Sequence, residues 1–163
     1  MSDVAAFRIF KANHAGTAMS GEGVKKFGGR WNSPGVAVVY CSSFLALAQL
    51  EVLVHLSGIT PPATYQFIAL TTPADCGIRT ITASELGQLP FDWKSHPPHM
   101  GLQAIGDDWI AKAEFLALRV PSVVSPHEFN ILLNPKHPDF AKVIVQAPAR
   151  LEWDERLFLR GAT

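Results

Sequence analysis

The stretch FLALRVPSVVSPHEFNILLNPKHPDFAKVIVQA, residues 115–147, decides the fold class. Within it, FLALRV at 115–120, EFNILLN at 128–134 and KVIVQA at 142–147 are apolar, β-branched runs of strand length, bounded by Pro121, Pro126, Pro135 and Pro148. Proline cannot donate to a ladder, so it marks strand margins. No helix-length segment separates these runs, which argues against regular strand–helix alternation and for an α+β fold.

Working outward, AAFRIF at 5–10, VAVVYC at 36–41 and TYQFIALT at 64–71 also read as strands. Residues 13–35 are glycine-rich and weakly periodic, as a long loop would be. Ser42-Ser43 offers an N-cap for a helix running to about Leu56, with Gly58 and Pro61-Pro62 as its stop. A Pro-, Gly- and His-rich stretch near 87–101 reads as a surface connection, and a second helix is expected over about 101–113.

With 163 residues, 48% of them hydrophobic, the whole chain is expected to form one compact domain with its own core. Lys+Arg and Asp+Glu each number 14, so the formal charge is zero and direct nucleic-acid binding is not expected. Cys41 and Cys76 have no metal-ligand spacing and suit a reducing compartment. No signal-like N-terminus and no apolar run near the roughly 20 residues of a bilayer span is present. The expectation is a soluble cytoplasmic protein without a membrane contact.

Glu51 is the most informative residue, because FLALAQLEVLVHL at 44–56 is apolar on nearly every face, as in a buried helix. Burying a lone carboxylate costs several kcal/mol unless it is paired. It is therefore either functional or paired with His55, one turn on. In KKFGGRWN at 25–32, two glycines allow close backbone approach and Arg30 stands beside Trp31. An arginine fork suits phosphate, whereas Trp31 could stack on a base or pack as core. Gly21-Glu22-Gly23 is not a dinucleotide fingerprint, since it does not lie between a strand and a helix. His96 and His99 lack further ligands at useful spacing and read as solvated loop residues, so no metal site is expected. Ser122 lacks a nucleophile elbow and reads as capping a Pro-Ser turn.

Taken in order, these pieces resemble the RES domain family, named for an arginine, a glutamate and a serine. The motifs are Phe7-Arg8-Ile9-Phe10, Gly28-Gly29-Arg30-Trp31-Asn32 with Pro34-Gly35, Val38-Val39-Tyr40 and Ala48-Gln49-Leu50-Glu51. They continue with Ile105-Gly106-Asp107-Asp108-Trp109, Arg119-Val120-Pro121-Ser122, Asn130-Ile131-Leu132-Leu133-Asn134-Pro135 and His137-Pro138-Asp139-Phe140. The resemblance places the namesake residues on Arg30, Glu51 and Ser122 and further pocket residues on Arg8 and Tyr40. It implies a fold similar to ADP-ribosyltransferase toxins and an activity that consumes NAD by phosphorolysis or hydrolysis. It also implies neutralisation by an Xre-type helix-turn-helix antitoxin, with DNA contact left to that partner.

The expected mechanism has Arg30 and Arg8 clamping the pyrophosphate, Tyr40 stacking on or orienting nicotinamide or its ribose, and Glu51 facing the reacting carbon. Trp31 and Ser122 are further substrate-binding candidates, while Asn130, Asn134 and His137 read as structural. NAD is substrate and inorganic phosphate a possible co-substrate, with no resident cofactor. Two rival readings stand beside this one. One is ADP-ribosyl transfer to a macromolecule, for which transferases often carry a second acidic residue two positions before the glutamate, here Gln49. The other is a non-enzymatic partner-binding domain in which Glu51 and Arg30 form a buried ion pair and residues 13–29 are the interface.

Overall fold

A computed structural model describes residues 3–56 and 64–158. The strands are β1 (Val4–Lys11), β2 (Val39–Ser42), β3 (Tyr65–Thr72), β4 (Ile78–Thr80), β5 (Ala117–Pro121), β6 (Phe129–Leu133), β7 (Ile144–Val145) and β8 (Ala149–Arg150). They form one sheet in the order β4-β5-β6-β2-β1-β3-β7, with β8 also pairing β3. Among the described residues only β4 and β5 pair in parallel; the other ladders are antiparallel. The fold is α+β, as residues 115–147 suggest, although the expected third strand there is cut to two residues. A 3-10 helix at Pro138–Lys142 takes its start, and Pro148 separates it from β8.

Among the described residues, four α-helices pack around this sheet: α1 (Glu22–Phe27), α2 (Leu45–Leu53), α3 (Ala83–Gly87) and α4 (Met100–Lys112). The stretch expected to be an open loop therefore holds α1 and a 3-10 helix at Ala12–Thr17. Neither buries a residue, so neither leaves an apolar period in the sequence. The helix starting near Ser42-Ser43 is shorter than expected: Phe44 is its N-cap and Ser42 belongs to β2. The Ser42 hydroxyl donates across the sheet to Asn130 instead of capping. The proposed stop at Gly58 and Pro61-Pro62 lies outside the described residues. Nor is α2 buried all round, since Leu47 and Ala48 face the core while Phe44, Leu50 and Val54 are exposed.

Alternation along the strands gives the sheet two covered faces. On one, Val38, Leu118, Val120 and Leu132 pack with Trp31, Leu102 and Trp109 under α4. On the other, Ala6, Val39, Cys41, Leu70, Ala117, Ile131 and Leu133 form a second apolar layer. Among the described residues no helix is long and apolar enough to cross a membrane.

Candidate active site

Strand register decides which of the sequence-predicted residues meet. Tyr40 opposes Leu132, Ser42 opposes Asn130, and Val120 also opposes Asn130, so Tyr40, Ser42 and Asn130 share the face under α4. Phe7 opposes Ser42, which turns the adjacent Arg8 to the other face, with Cys41 and Ile68.

Helix α2 packs on β1 and β2 and points Glu51 onto the Tyr40 side. There Oε1 accepts the Ser122 hydroxyl at 2.7 Å and the Asn130 amide N–H at 2.6 Å. Both bonds land on one oxygen, and Oε2 accepts none among the described residues. His55 is exposed in the turn after α2, so the carboxylate is held from across the sheet and not by its own helix. Ser122 is fully buried, and its Oγ also accepts the N–H groups of Val124 at 3.0 Å and Ser125 at 3.1 Å. The hydroxyl thus both holds the turn and holds Glu51, with its proton committed to the carboxylate.

Arg30 projects from the loop between α1 and β2. Its Nη1 donates to the carbonyls of Trp93 at 2.8 Å and Ser95 at 3.2 Å. Nε and Nη2 have no acceptor among the described residues, leaving one edge of the fork for an anion. Burial pulls the guanidinium below its ordinary pKa, and the Glu51 carboxylate is the leading influence in the opposite sense. Yet no ion pair within 4.0 Å joins Arg30 to Glu51. The stretch read as a plain surface connection is therefore a wall of the site: buried Trp93 and neighbouring Ser95 supply the carbonyls that aim Arg30.

Three residues sit differently from the expected mechanism. The Tyr40 hydroxyl accepts the Trp31 N–H at 2.9 Å and donates to Asn32 Oδ1 at 2.7 Å, so it is not free to orient a ligand. Burial pushes its phenol well above the ordinary value, which removes it as an acid or base near neutrality. Trp31 is 2% exposed and belongs to the core under α4, so its indole offers no face for stacking on a substrate. Arg8 cannot clamp jointly with Arg30, because on the opposite face its Nε donates to the Ala18 carbonyl and Nη1 to the Tyr40 carbonyl. Beside it, burial pushes the Cys41 thiol up to about 12, so no thiolate nucleophile forms near neutral pH.

The Arg30 loop is moulded to its surroundings. A Cβ on Gly29 would lie 2.7 Å from the Tyr40 hydroxyl oxygen, so only glycine lets the phenol reach the Trp31 N–H. Fully buried Asn32 donates to Val36 O at 2.9 Å, and α4 secures the loop from above. Asp107 Oδ1 accepts the Ser33 N–H at 3.0 Å, and Gln103 Nε2 donates to Gly29 O at 3.0 Å. Tyr40→Phe is expected to strand the Trp31 N–H and Asn32 Oδ1, destabilising the fold by about 1–3 kcal/mol. Thermal unfolding checks this, and an unchanged Tm would mean that another group takes both bonds.

Sequence reasoning missed Asn32, Asp107 and the Trp93 and Ser95 carbonyls, and read Asn130 as purely structural. Their partners lie up to 79 residues away, for Asn130 and Glu51. No local pattern announces such contacts.

Comparison with known proteins gives a consistent picture. The RES domain matches residues 5–154. A Sphingobium sp. (strain YBL2) protein named Prs ADP-ribosylating toxin is 34% identical over 143 residues, covering 88% of each chain. A Photorhabdus laumondii protein named Toxin Res is 33% identical over 138 residues, covering 85% of this chain and 86% of its own. In fold, a chain of the M. tuberculosis MbcT-MbcA toxin-antitoxin complex superposes with a TM-score of 0.73 at 18% identity, covering 96% of this chain and 87% of that one. On the extent of these matches the chain belongs to the RES domain family.

Proposed function

We propose that this protein is a toxin that breaks the N-glycosidic bond between nicotinamide and ribose in NAD. The observation that carries the reading is the Glu51 carboxylate, anchored through one oxygen while the other stays open, near an Arg30 fork that does not neutralise it. Bond breaking leaves the electron pair on nicotinamide and positive charge on the ribose. A fixed carboxylate stabilises that charge most where little water screens it. Nicotinamide departs as a neutral molecule from a cationic ring, so no carboxylic acid is needed to protonate the leaving group. This accommodates a site with one carboxylate. Phosphate or water then attacks the ribose, giving phosphorolysis or hydrolysis.

In this reading the free edge of Arg30 takes the pyrophosphate. Arg30→Lys keeps the charge but loses the planar fork, and the expected result is weaker NAD binding by titration calorimetry, by about tenfold, or ~1.4 kcal/mol. Unchanged affinity would remove Arg30 from the phosphate site. Names of relatives, Toxin Res among them, support a growth-arresting role. A likeness to a chain from a toxin–antitoxin complex makes an antitoxin the proposed partner, of the Xre type that the family resemblance implies.

The decisive experiment incubates the purified, partner-free chain with NAD, with and without inorganic phosphate, and follows nicotinamide and the ribose product by chromatography and mass. Nicotinamide with a phosphate-bearing product identifies a phosphorylase, and release without phosphate identifies hydrolysis, provided that the protein itself gains no mass. Intact NAD beside a folded protein overturns the reading.

ADP-ribosyl transfer is the second reading, favoured by the name of the Sphingobium relative. A protein acceptor would gain the mass of ADP-ribose in the same assay. Gln49 gives this reading little help. Two positions apart on a helix point to opposite sides, and the Gln49 amide donates to Glu152 O, away from Glu51. The non-enzymatic reading loses one of its two supports, because Arg30 and Glu51 make no ion pair.

A further inference from the structure

We propose that Asn130 is a positioning residue for Glu51, and that Ser42 acts through it; this rests on the reading of Glu51 as the group that faces the ribose. Rotation of a glutamate's terminal carboxylate is soft, with broad torsional minima and no single preferred angle. Something outside the side chain must fix which oxygen faces the pocket. Two donors do so here, Ser122 at 2.7 Å and Asn130 at 2.6 Å, both on Oε1. Oε2 is thereby the oxygen left to meet positive charge.

An asparagine amide can present either its oxygen or its nitrogen. Toward a carboxylate, which only accepts, the nitrogen is required. The acceptor-only carboxylate sets the amide that way, and buried Ser42 completes the arrangement, its hydroxyl donating to Asn130 Oδ1 at 2.8 Å. The polarity then runs in one direction, from the Ser42 proton through the Asn130 amide to Glu51. Register makes the arrangement possible, because Ser42 and Asn130 are paired across β2 and β6, and Asn130 is paired to Val120 in the strand leading to Ser122. Among the described residues the one hydrogen bond of the Ser42 side chain goes to Asn130, so its influence on turnover is expected to pass through Asn130.

A merely structural tie between α2 and the sheet would lower stability and leave turnover per folded molecule intact. The test therefore measures kcat and KM for NAD, with Tm, for wild type, Asn130→Ala, Ser42→Ala and the double variant. Asn130→Ala is expected to lower kcat by about 10- to 100-fold, the usual cost of removing a supporting hydrogen bond. KM for NAD should stay within about twofold, as for an interaction made only in the transition state. Ser42→Ala should lower kcat less, and adding it to Asn130→Ala should cost nothing more, since coupled residues are not additive.

Losses that multiply, or an Asn130→Ala protein with wild-type kcat, overturn the proposal while the NAD reading stands. A folded wild type that leaves NAD intact overturns both. If Asn130→Ala does not fold, Ser42→Ala decides alone: a lower kcat at unchanged KM and Tm supports the relay, and an unchanged kcat sinks it.

Discussion

Glu51→Gln is expected to cut nicotinamide release from NAD by about 10²–10³-fold, the usual cost of deleting one preorganised electrostatic group. The substitution is nearly isosteric and the two anchors should survive it. A glutamine carbonyl can still accept the Ser122 hydroxyl and the Asn130 amide that now meet Oε1. That choice of anchor directs the new NH₂ group into the position of Oε2. A negative charge facing the incipient ribose cation is thereby exchanged for the positive end of an amide dipole, with little change in volume. Folding should be almost unaffected, with Tm moving by no more than a few degrees. The measurement is single-turnover nicotinamide release at saturating NAD, beside a thermal melt. Normal turnover from a folded Glu51→Gln variant would end the assignment of Glu51 as the group that stabilises the transition state.

A large effect on stability is expected at Gly106, in the middle of α4. A Cβ there would sit 1.8 Å from the carbonyl oxygen of Trp31 and 2.8 Å from its carbonyl carbon. The obstacle is backbone, which cannot swing aside as a long side chain would. Either α4 must back away from the Arg30 loop, or the loop must give up its bonds to Asp107 and Gln103. Overpacking of this kind costs about 1–3 kcal/mol, occasionally more. For a chain of this size each kcal/mol lowers Tm by roughly 2–4 °C, so Gly106→Ala should melt about 2–12 °C below wild type. NAD binding should weaken with it, because the moved loop carries Arg30. A variant with wild-type Tm would show that the approach of α4 to Trp31 is looser than the geometry implies.

How much of this was legible in the sequence follows from the range of each interaction. Strands at 115–120 and 128–134 were readable because both faces of the sheet are covered, so their runs are mostly apolar and bounded by prolines. Helix α3 was missed although Thr82 and Glu85 form a full capping box, a signature visible as Thr-x-x-Glu before Leu86. β4 has three residues, too few to show a period. Ser42-Ser43 looked like a cap because the serine's real acceptor, Asn130, lies 88 residues further on. Within the site, Glu51 stood out because a carboxylate in an apolar helix is locally anomalous. The separation of Arg8 from Arg30 was invisible, since only strand register tells which face a residue takes. Trp31 could be read either way, and its burial decides for core.

The sequence separations within the site also fix when it can exist. Arg30 leans on carbonyls 63 and 65 residues downstream, and Glu51 on side chains 71 and 79 residues downstream. A ribosome that has just passed Glu51 has made the arginine and the glutamate, yet none of the groups that aim them. The carboxylate acquires its orientation only once β6 has emerged and paired. Chains that stop short of β6 therefore carry Arg30 and Glu51 with the glutamate's orientation still unset, and the assembly of the site waits on strand pairing far from the residues that sequence reading singles out.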